Sequence, residues 1–274
     1  MPWHLTGDID DFLARTGDFL RSRPALHTSQ LTRLEKLRTQ ADEGTLFGRL
    51  EQEGEVRAIC YRRRASQRLI LTAVSSDQAD ALAAHLTGLG DTLCGVTAED
   101  DSAAAFAEAW QRHTGTVPKP GVRVRLHRLG TLTPPEPMPE GHASNAPDRA
   151  EIIRWCSEFA TAVGQAPFAD TRSWAASNFA DKRFTFWEAG GPVAMAGSTP
   201  VLAGMVRIDP VYTPARFRGR GYAGAVTVAV SQAALAAGAT DVVLYTDPAN
   251  VTSNALYRRI GFVPIASFLG YDFS

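Results

Sequence analysis

The chain has 274 residues, with 28 Lys and Arg against 29 Asp and Glu for a formal net charge of −1, and 45% of its residues are hydrophobic. Near-neutrality excludes a broadly basic nucleic-acid binder, and the apolar content excludes a disordered chain. The length suits two ordinary domains, each able to bury a core.

In chain order, the acids Asp8, Asp10 and Asp11 stand where a secretory leader would be basic, so a cytoplasmic protein is expected. Apolar periodicity predicts helices over 8–21 and 29–40, strands over 46–50, 57–61 and 68–73, and a helix over 77–86. A strand near 92–96, a helix over 102–113 and a strand over 122–129 complete this half. Cys60, Cys94 and Cys156 are odd in number and far apart, and the six histidines are scattered. Neither a disulfide framework nor a metal site is expected.

Five prolines fall within residues 130–149, which marks 130–148 as a linker. Beyond it, helices are predicted over 149–163 and 171–179. Strands follow over 184–188 and 193–196, joined across Ala-Gly-Gly-Pro, with a third over 203–212. A helix over 222–237 comes next, then a strand over 241–246, a helix over 253–260 closed by Gly261, and terminal strands. Residues 221–240 form an uncharged run of bilayer length. Its small residues and the polar Thr227, Ser231 and Gln232 favour a helix packed inside a domain. No membrane span is expected. The order of elements in the two halves is nearly the same, which suggests a duplicated architecture, although the turn after the third strand of the first half, Ala73-Val-Ser-Ser-Asp-Gln78, has neither glycine nor arginine.

The chemistry concentrates in Val211-Tyr-Thr-Pro-Ala-Arg-Phe-Arg-Gly-Arg-Gly-Tyr-Ala-Gly224. Arg216, Arg218 and Arg220 alternate with Gly219 and Gly221 just before a helix. A helix N-terminus offers unpaired N–H groups and partial positive charge, glycines let backbone approach, and arginines add charge-assisted hydrogen bonds. From residue 204 onward the only acids are Asp209, Asp241, Asp247 and Asp272. The loop therefore points to a phosphate site. It lacks the Walker A lysine. A formal GxGxxG, Gly219 to Gly224, lacks the acid that ribose recognition needs at the end of a following strand.

Arg216-x-x-Gly219-x-Gly221 after Val-Tyr-Thr-Pro resembles the acetyl-CoA pyrophosphate loop of the GNAT superfamily of N-acetyltransferases. Asn250-Val-Thr-Ser-Asn-Ala-Leu-Tyr257-Arg-Arg-Ile-Gly-Phe262 resembles that superfamily's later signature. The resemblance implies an α/β (α+β) fold of tandem GNAT-like domains, each a mixed, mostly antiparallel sheet flanked by helices. Its division would be 1–129, a degenerate domain without the pyrophosphate loop; 130–148, the linker; and 149–274, the acetyl-CoA-binding domain. Backbone groups of Val211, Tyr212 and Thr213 would meet the pantetheine arm. Arg216 and the amides of Arg218, Gly219, Arg220, Gly221 and Tyr222 would cradle the diphosphate. Asn250 would touch the cofactor arm, and Tyr257 would act as general acid at the sulfur or, alternatively, only pack its helix.

The general base is less legible, because the strand over 242–246 has no acid. Glu188 and Asp209 are the candidates, each also explicable as a strand-end or turn residue, and ordered water is an alternative. Phe168 and Trp174 are candidates to line an acceptor groove. The implied activity is acetyl transfer from acetyl-CoA to an amine, either a small molecule or a peptide amine. The alternative is a catalytically idle acyl-CoA-binding or sensing module.

Overall fold

Small residues make the most apolar helix of the chain possible. In the computed structural model, which describes residues 2–39, 44–63, 67–145, 148–168, 171–177 and 179–274, that helix is Tyr222–Ala236. In chain order the elements are β1 (Trp3–Thr6), α1 (Ile9–Ser22), α2 (Thr28–Thr39), β2 (Leu46–Gln52), β3 (Glu55–Arg62), β4 (Leu69–Leu71), α3 (Ser76–Gly88), β5 (Gly95–Glu99), α4 (Asp100–Thr114) and β6 (Pro118–Leu129). Then follow β7 (His142–Ser144), α5 (Arg149–Ala162), α6 (Thr171–Ala176), β8 (Arg183–Glu188), β9 (Pro192–Ser198), β10 (Met205–Tyr212), α7 (Tyr222–Ala236), β11 (Asp241–Thr246), α8 (Val251–Arg259) and β12 (Phe262–Phe273). Among the described residues, no helix is long and apolar enough to cross a membrane. The fold class is as expected, mixed α/β with mostly antiparallel strand pairs. In each unit one pair of central strands, β4 with β5 and β10 with β11, is parallel.

The chain forms two compact units, Met1–Leu126 with Ile265–Ser274, and His127–Pro264. Both boundaries differ from the expected division. In the first unit the sheet runs β1-β2-β3-β4-β5, and the far part of β12 continues it by pairing antiparallel with β5, Phe268 opposite Glu99 and Asp272 opposite Gly95. The last ten residues thus belong to the first unit because their ladder and side chains are satisfied there. Leu269 and Phe273 join the core around Leu82, Phe106 and Trp110, with the Phe273 ring 5.9 Å from that of Trp110. Helices α1 and α2 close a second cluster around Phe12, Leu34 and Ile59.

In the second unit the sheet runs from the end of β6 through β11, β10, β9 and β8 to β7. One face carries α7 and α8 over Val206, Ile208, Val242 and Leu244. The other carries α5 and α6 over Phe184, Phe186 and Met195. The buried hydroxyls of α7 bond within the helix, Thr227 Oγ1 to Ala223 O at 2.7 Å and Ser231 Oγ to Thr227 O at 2.8 Å, which offsets the cost of burying them.

Residues 130–148, expected as a linker, are part of this unit. Gly130 N and Thr133 N donate to Gly261 O and Ile260 O, Trp187 Nε1 donates to Glu140 O at 3.0 Å, and β7 pairs with β8. The prolines remove donors that an extended segment on a packed surface would otherwise leave unpaired.

Candidate functional site

Strands β10 and β11 begin in parallel register, Met205 opposite Asp241 and Arg207 opposite Val243, and no later pairs join them among the described residues. Their parting follows from β10 itself, whose register against β9 shifts between Ile208 and Val211. Val211 and Tyr212 remain paired to β9 through Ala196 and Met195, so the edge toward β11 opens at the expected pantetheine contacts, Val211, Tyr212 and Thr213. Thr213 Oγ1 is buried with no hydrogen-bond partner among the described residues.

The arginine loop leads from this opening into α7. Residues 215–217 make a single 3-10 turn, and Arg218 Nε donates to Thr213 O at 3.0 Å. The Arg216 guanidinium lies 4.6 Å from the centre of the Phe217 ring. Gly219 and Gly221 take left-handed φ values of +78° and +81°. A Cβ at Gly219 would meet nothing within 4 Å, so glycine serves conformation there rather than space. Gly221 is the N-cap of α7, and no side chain caps it. Among the described residues no side-chain hydrogen bond caps α7, the three arginines that precede it are exposed, and no acid lies in its first turn. Open backbone edge, uncapped helix end and local positive charge fit a diphosphate carried on an extended arm.

In the first unit the corresponding groups are already engaged. Ser75 Oγ accepts from Gln78 N and Gln78 Oε1 accepts from Ser75 N, a complete capping box at α3. Ser102 Oγ accepts from Val74 N at 2.9 Å and donates to Val74 O at 3.2 Å.

Tyr257 lies on α8, its side chain in the core with the ring centre 6.0 Å from that of Phe262. Burial, and then the Asp209 charge, push its phenol above the usual tyrosine range. Asn250 caps α8, its Oδ1 accepting from Ser253 N at 3.0 Å, so that oxygen is committed to the helix. Sequence reasoning missed Asn254. Its Nδ2 donates to Asp247 O at 2.8 Å and Asn250 O at 2.7 Å, and its Oδ1 accepts from Thr246 Oγ1 at 2.8 Å. With that proton used, His127 Nε2, 3.0 Å from Thr246 Oγ1, is the donor to it. These bonds tie the end of β11 to α8. The only signal was the second Asn of the Asn-x-x-x-Asn spacing.

Asp209 sits within the irregular stretch of β10, and Lys182 Nζ lies 2.5 Å from its Oδ2. Burial alone would raise the Asp209 carboxyl, but the charges of Lys182 and Arg207 and the Lys182 hydrogen bond outweigh it and hold the carboxyl below its usual value. Burial lowers the Lys182 ammonium against the pull of Asp209. The nearby Cys156 thiol is pushed up to about 12, chiefly by burial, which removes it as a thiolate nucleophile. The structure thus gathers Asp209 and Tyr257 into one electrostatic neighbourhood. Glu188 stands apart, on β8, paired with His142 of β7 and separated from β10 by β9.

Of the two groove candidates, Trp174 is buried at 5% exposure. Phe168 is half-buried and helps line a cavity of about 570 Å³ with Ile153, Arg154, Ser157 and Glu158. Glu158 Oε2 accepts from Tyr212 Oη at 2.7 Å. Burial first, then this contact, push the Tyr212 phenol up to about 12.

Residues 149–262 match the acetyltransferase (GNAT) family model. That segment is similar to acetyltransferases of the GNAT family. No curated protein matches the chain at a significant level. Among solved structures, a GCN5-related N-acetyltransferase from Sphaerobacter thermophilus is 17% identical at a TM-score of 0.61, covering 98% of this chain and 94% of its own. A tandem GNAT protein from the clavulanic acid biosynthesis pathway is 14% identical at 0.57, with 98% of each chain covered. A GCN5-related N-acetyltransferase from Kribbella flavida is 21% identical at 0.53, covering 79% of this chain and 86% of its own. These likenesses establish the fold, and the first two span both halves. The N-terminal half is therefore similar in fold to the matching part of these proteins.

Proposed function

We propose that the chain is an acetyl-CoA-dependent N-acetyltransferase whose GNAT domain, residues 149–262, binds the cosubstrate and performs the transfer to an amine. The observation that carries this reading is the uncapped N-terminus of α7 behind Gly219 and Gly221, flanked by arginines, at the end of a strand parting from its neighbour. The N–H groups from Arg218 to Tyr222, with Arg216, would hold the diphosphate, and the free edge of Val211 to Thr213 would align the pantetheine amides.

Acetyl-CoA supplies a thioester, so an amine that attacks its carbonyl forms the C–N bond as the C–S bond breaks. Asp209 is the carboxylate we assign to the acceptor's proton, because it shares surroundings with Tyr257 whereas Glu188 does not. Tyr257 would donate a hydrogen bond to the departing sulfur. The acceptor is an amine on a small molecule or peptide.

The test is CoA release with a panel of amines. Turnover of at least one above hydrolysis is expected, and absence of acetyl-CoA binding would overturn the reading. A second reading, an idle acyl-CoA-binding module, draws on Asp209 being already engaged by Lys182. Tight acetyl-CoA binding without transfer to any amine would favour it.

A further inference from the structure

Lys182 precedes β8 in the segment Ala180-Asp-Lys-Arg183, a charge run that would ordinarily lie in water. Its side chain is only 3% exposed, packed with Nζ 4.7 Å from the centre of the Phe179 ring. An ammonium is costly to bury, and a buried pair often gains nothing over apolar residues of equal volume. Stability alone therefore does not explain a lysine here.

The pair is asymmetric. Lys182 holds Oδ2, and no hydrogen bond reaches Oδ1 among the described residues. The Asp209 side chain keeps 35% exposure, so it is not sealed from solvent as Lys182 is. The charged and titratable groups around it are Lys182 before β8, Arg207 on β10 itself, Cys156 on α5 and Tyr257 on α8. The two that act on its charge, Lys182 and Arg207, are cations.

We infer that Lys182 is a positioning residue, gripping Oδ2 within the irregular stretch of β10 so that Asp209 stays ionised and offers Oδ1 to the amine of the acceptor. This rests on the proposed function. In the step itself, a proton leaves the acceptor nitrogen for Oδ1, directly or through water. The freed lone pair forms the C–N bond, the C–S bond breaks, and Asp209 returns its proton to solvent. The grip makes the carboxylate a weaker base, yet keeps it charged and able to hold a cationic amine over a wide pH range.

The experiment uses the full chain with carbon-13-labelled aspartate. The Asp209 carboxyl is titrated by NMR in the wild type, Lys182→Met and Lys182→Arg. On the same proteins, acetyl transfer to the best amine of the panel is followed across pH. Loss of a charge this close raises the carboxyl by about one unit or more. Lys182→Met is therefore expected to titrate at higher pH, to carry the acid limb of kcat/KM with it, and to lose about tenfold or more on that limb with KM for acetyl-CoA unchanged. Lys182→Arg is expected to restore the wild-type limb. An unmoved Asp209 titration in Lys182→Met, or an equal loss at every pH, overturns the proposal. Should Lys182→Met not fold, Lys182→Arg decides: a limb that moves despite the retained charge overturns it, and one that stays supports it. Failure to bind acetyl-CoA would refute the proposed function and still leave the Asp209 titration readable.

Discussion

Tyr257 is better placed to lend a hydrogen bond than to surrender a proton. A thiol near 8.5 is already more acidic than a tyrosine near 10, and burial with the Asp209 charge widens the gap. Tyr257→Phe is expected to lower kcat by about tenfold to a hundredfold, the low end for acid–base assistance, without weakening acetyl-CoA binding. Because its pKa is raised, the phenol stays protonated as pH passes its usual 10. An alkaline limb below that pH that vanishes in Tyr257→Phe would contradict the assignment. The Lys182–Asp209 pair makes a second prediction at this scale. A carboxyl whose folded pKa is depressed stabilises the fold above its unfolded pKa of about 4, and that contribution is lost as pH falls through the folded pKa. Asp209→Ala leaves the Lys182 ammonium buried and unpaired. The cost should be about 2 kcal/mol at pH 7, less than for a fully buried pair because Asp209 is partly exposed, and should shrink near pH 3. Urea unfolding at the two pH values measures both.

At the scale of elements, the turn from β10 into α7 carries the binding argument. Gly221→Ala forces an L side chain into a left-handed φ, and its nearest neighbour, Pro139, is at an ordinary 3.7 Å, so the strain is conformational. A cost of about 1 kcal/mol in stability is expected, together with weaker acetyl-CoA binding. Arg216→Ala should weaken that binding by about tenfold to a hundredfold, the worth of one charge-assisted hydrogen bond. This region was legible because its signals are local: alternating Gly and Arg, an uncharged Ala-rich helix, and Asn and Gly at helix ends. What escaped the sequence depends on distant partners. Three-residue β7 has no apolar alternation and exists because β8 pairs with it. The proline-rich segment looked like a linker, yet its anchors are Ile260, Gly261 and Trp187. Lys182 looked like a surface charge because its partner lies 27 residues away. The end of β12 reads as one more strand of the C-terminal half, and only its pairing with β5 assigns it elsewhere.

At the scale of the whole molecule, the net charge of −1 gives no hint of an anion site, because the arginines that matter are few and clustered. Removing Ile265–Ser274 is expected to unfold the first unit, since β5 loses one of its two partner strands and Trp110 loses Phe273. Loss of the first unit's cooperative unfolding transition would report it. The two halves share an architecture but differ at the helix that follows the third strand of the sheet, where α7 has no side-chain cap. In the first unit Ser75 and Gln78 cap α3, and Ser102 engages Val74 where the strand ends. Calorimetric titration of the full chain with acetyl-CoA tests this contrast most directly. One site per chain, lost or strongly weakened in Arg216→Ala, is the expected result; no binding, or two equivalent sites per chain, would contradict it.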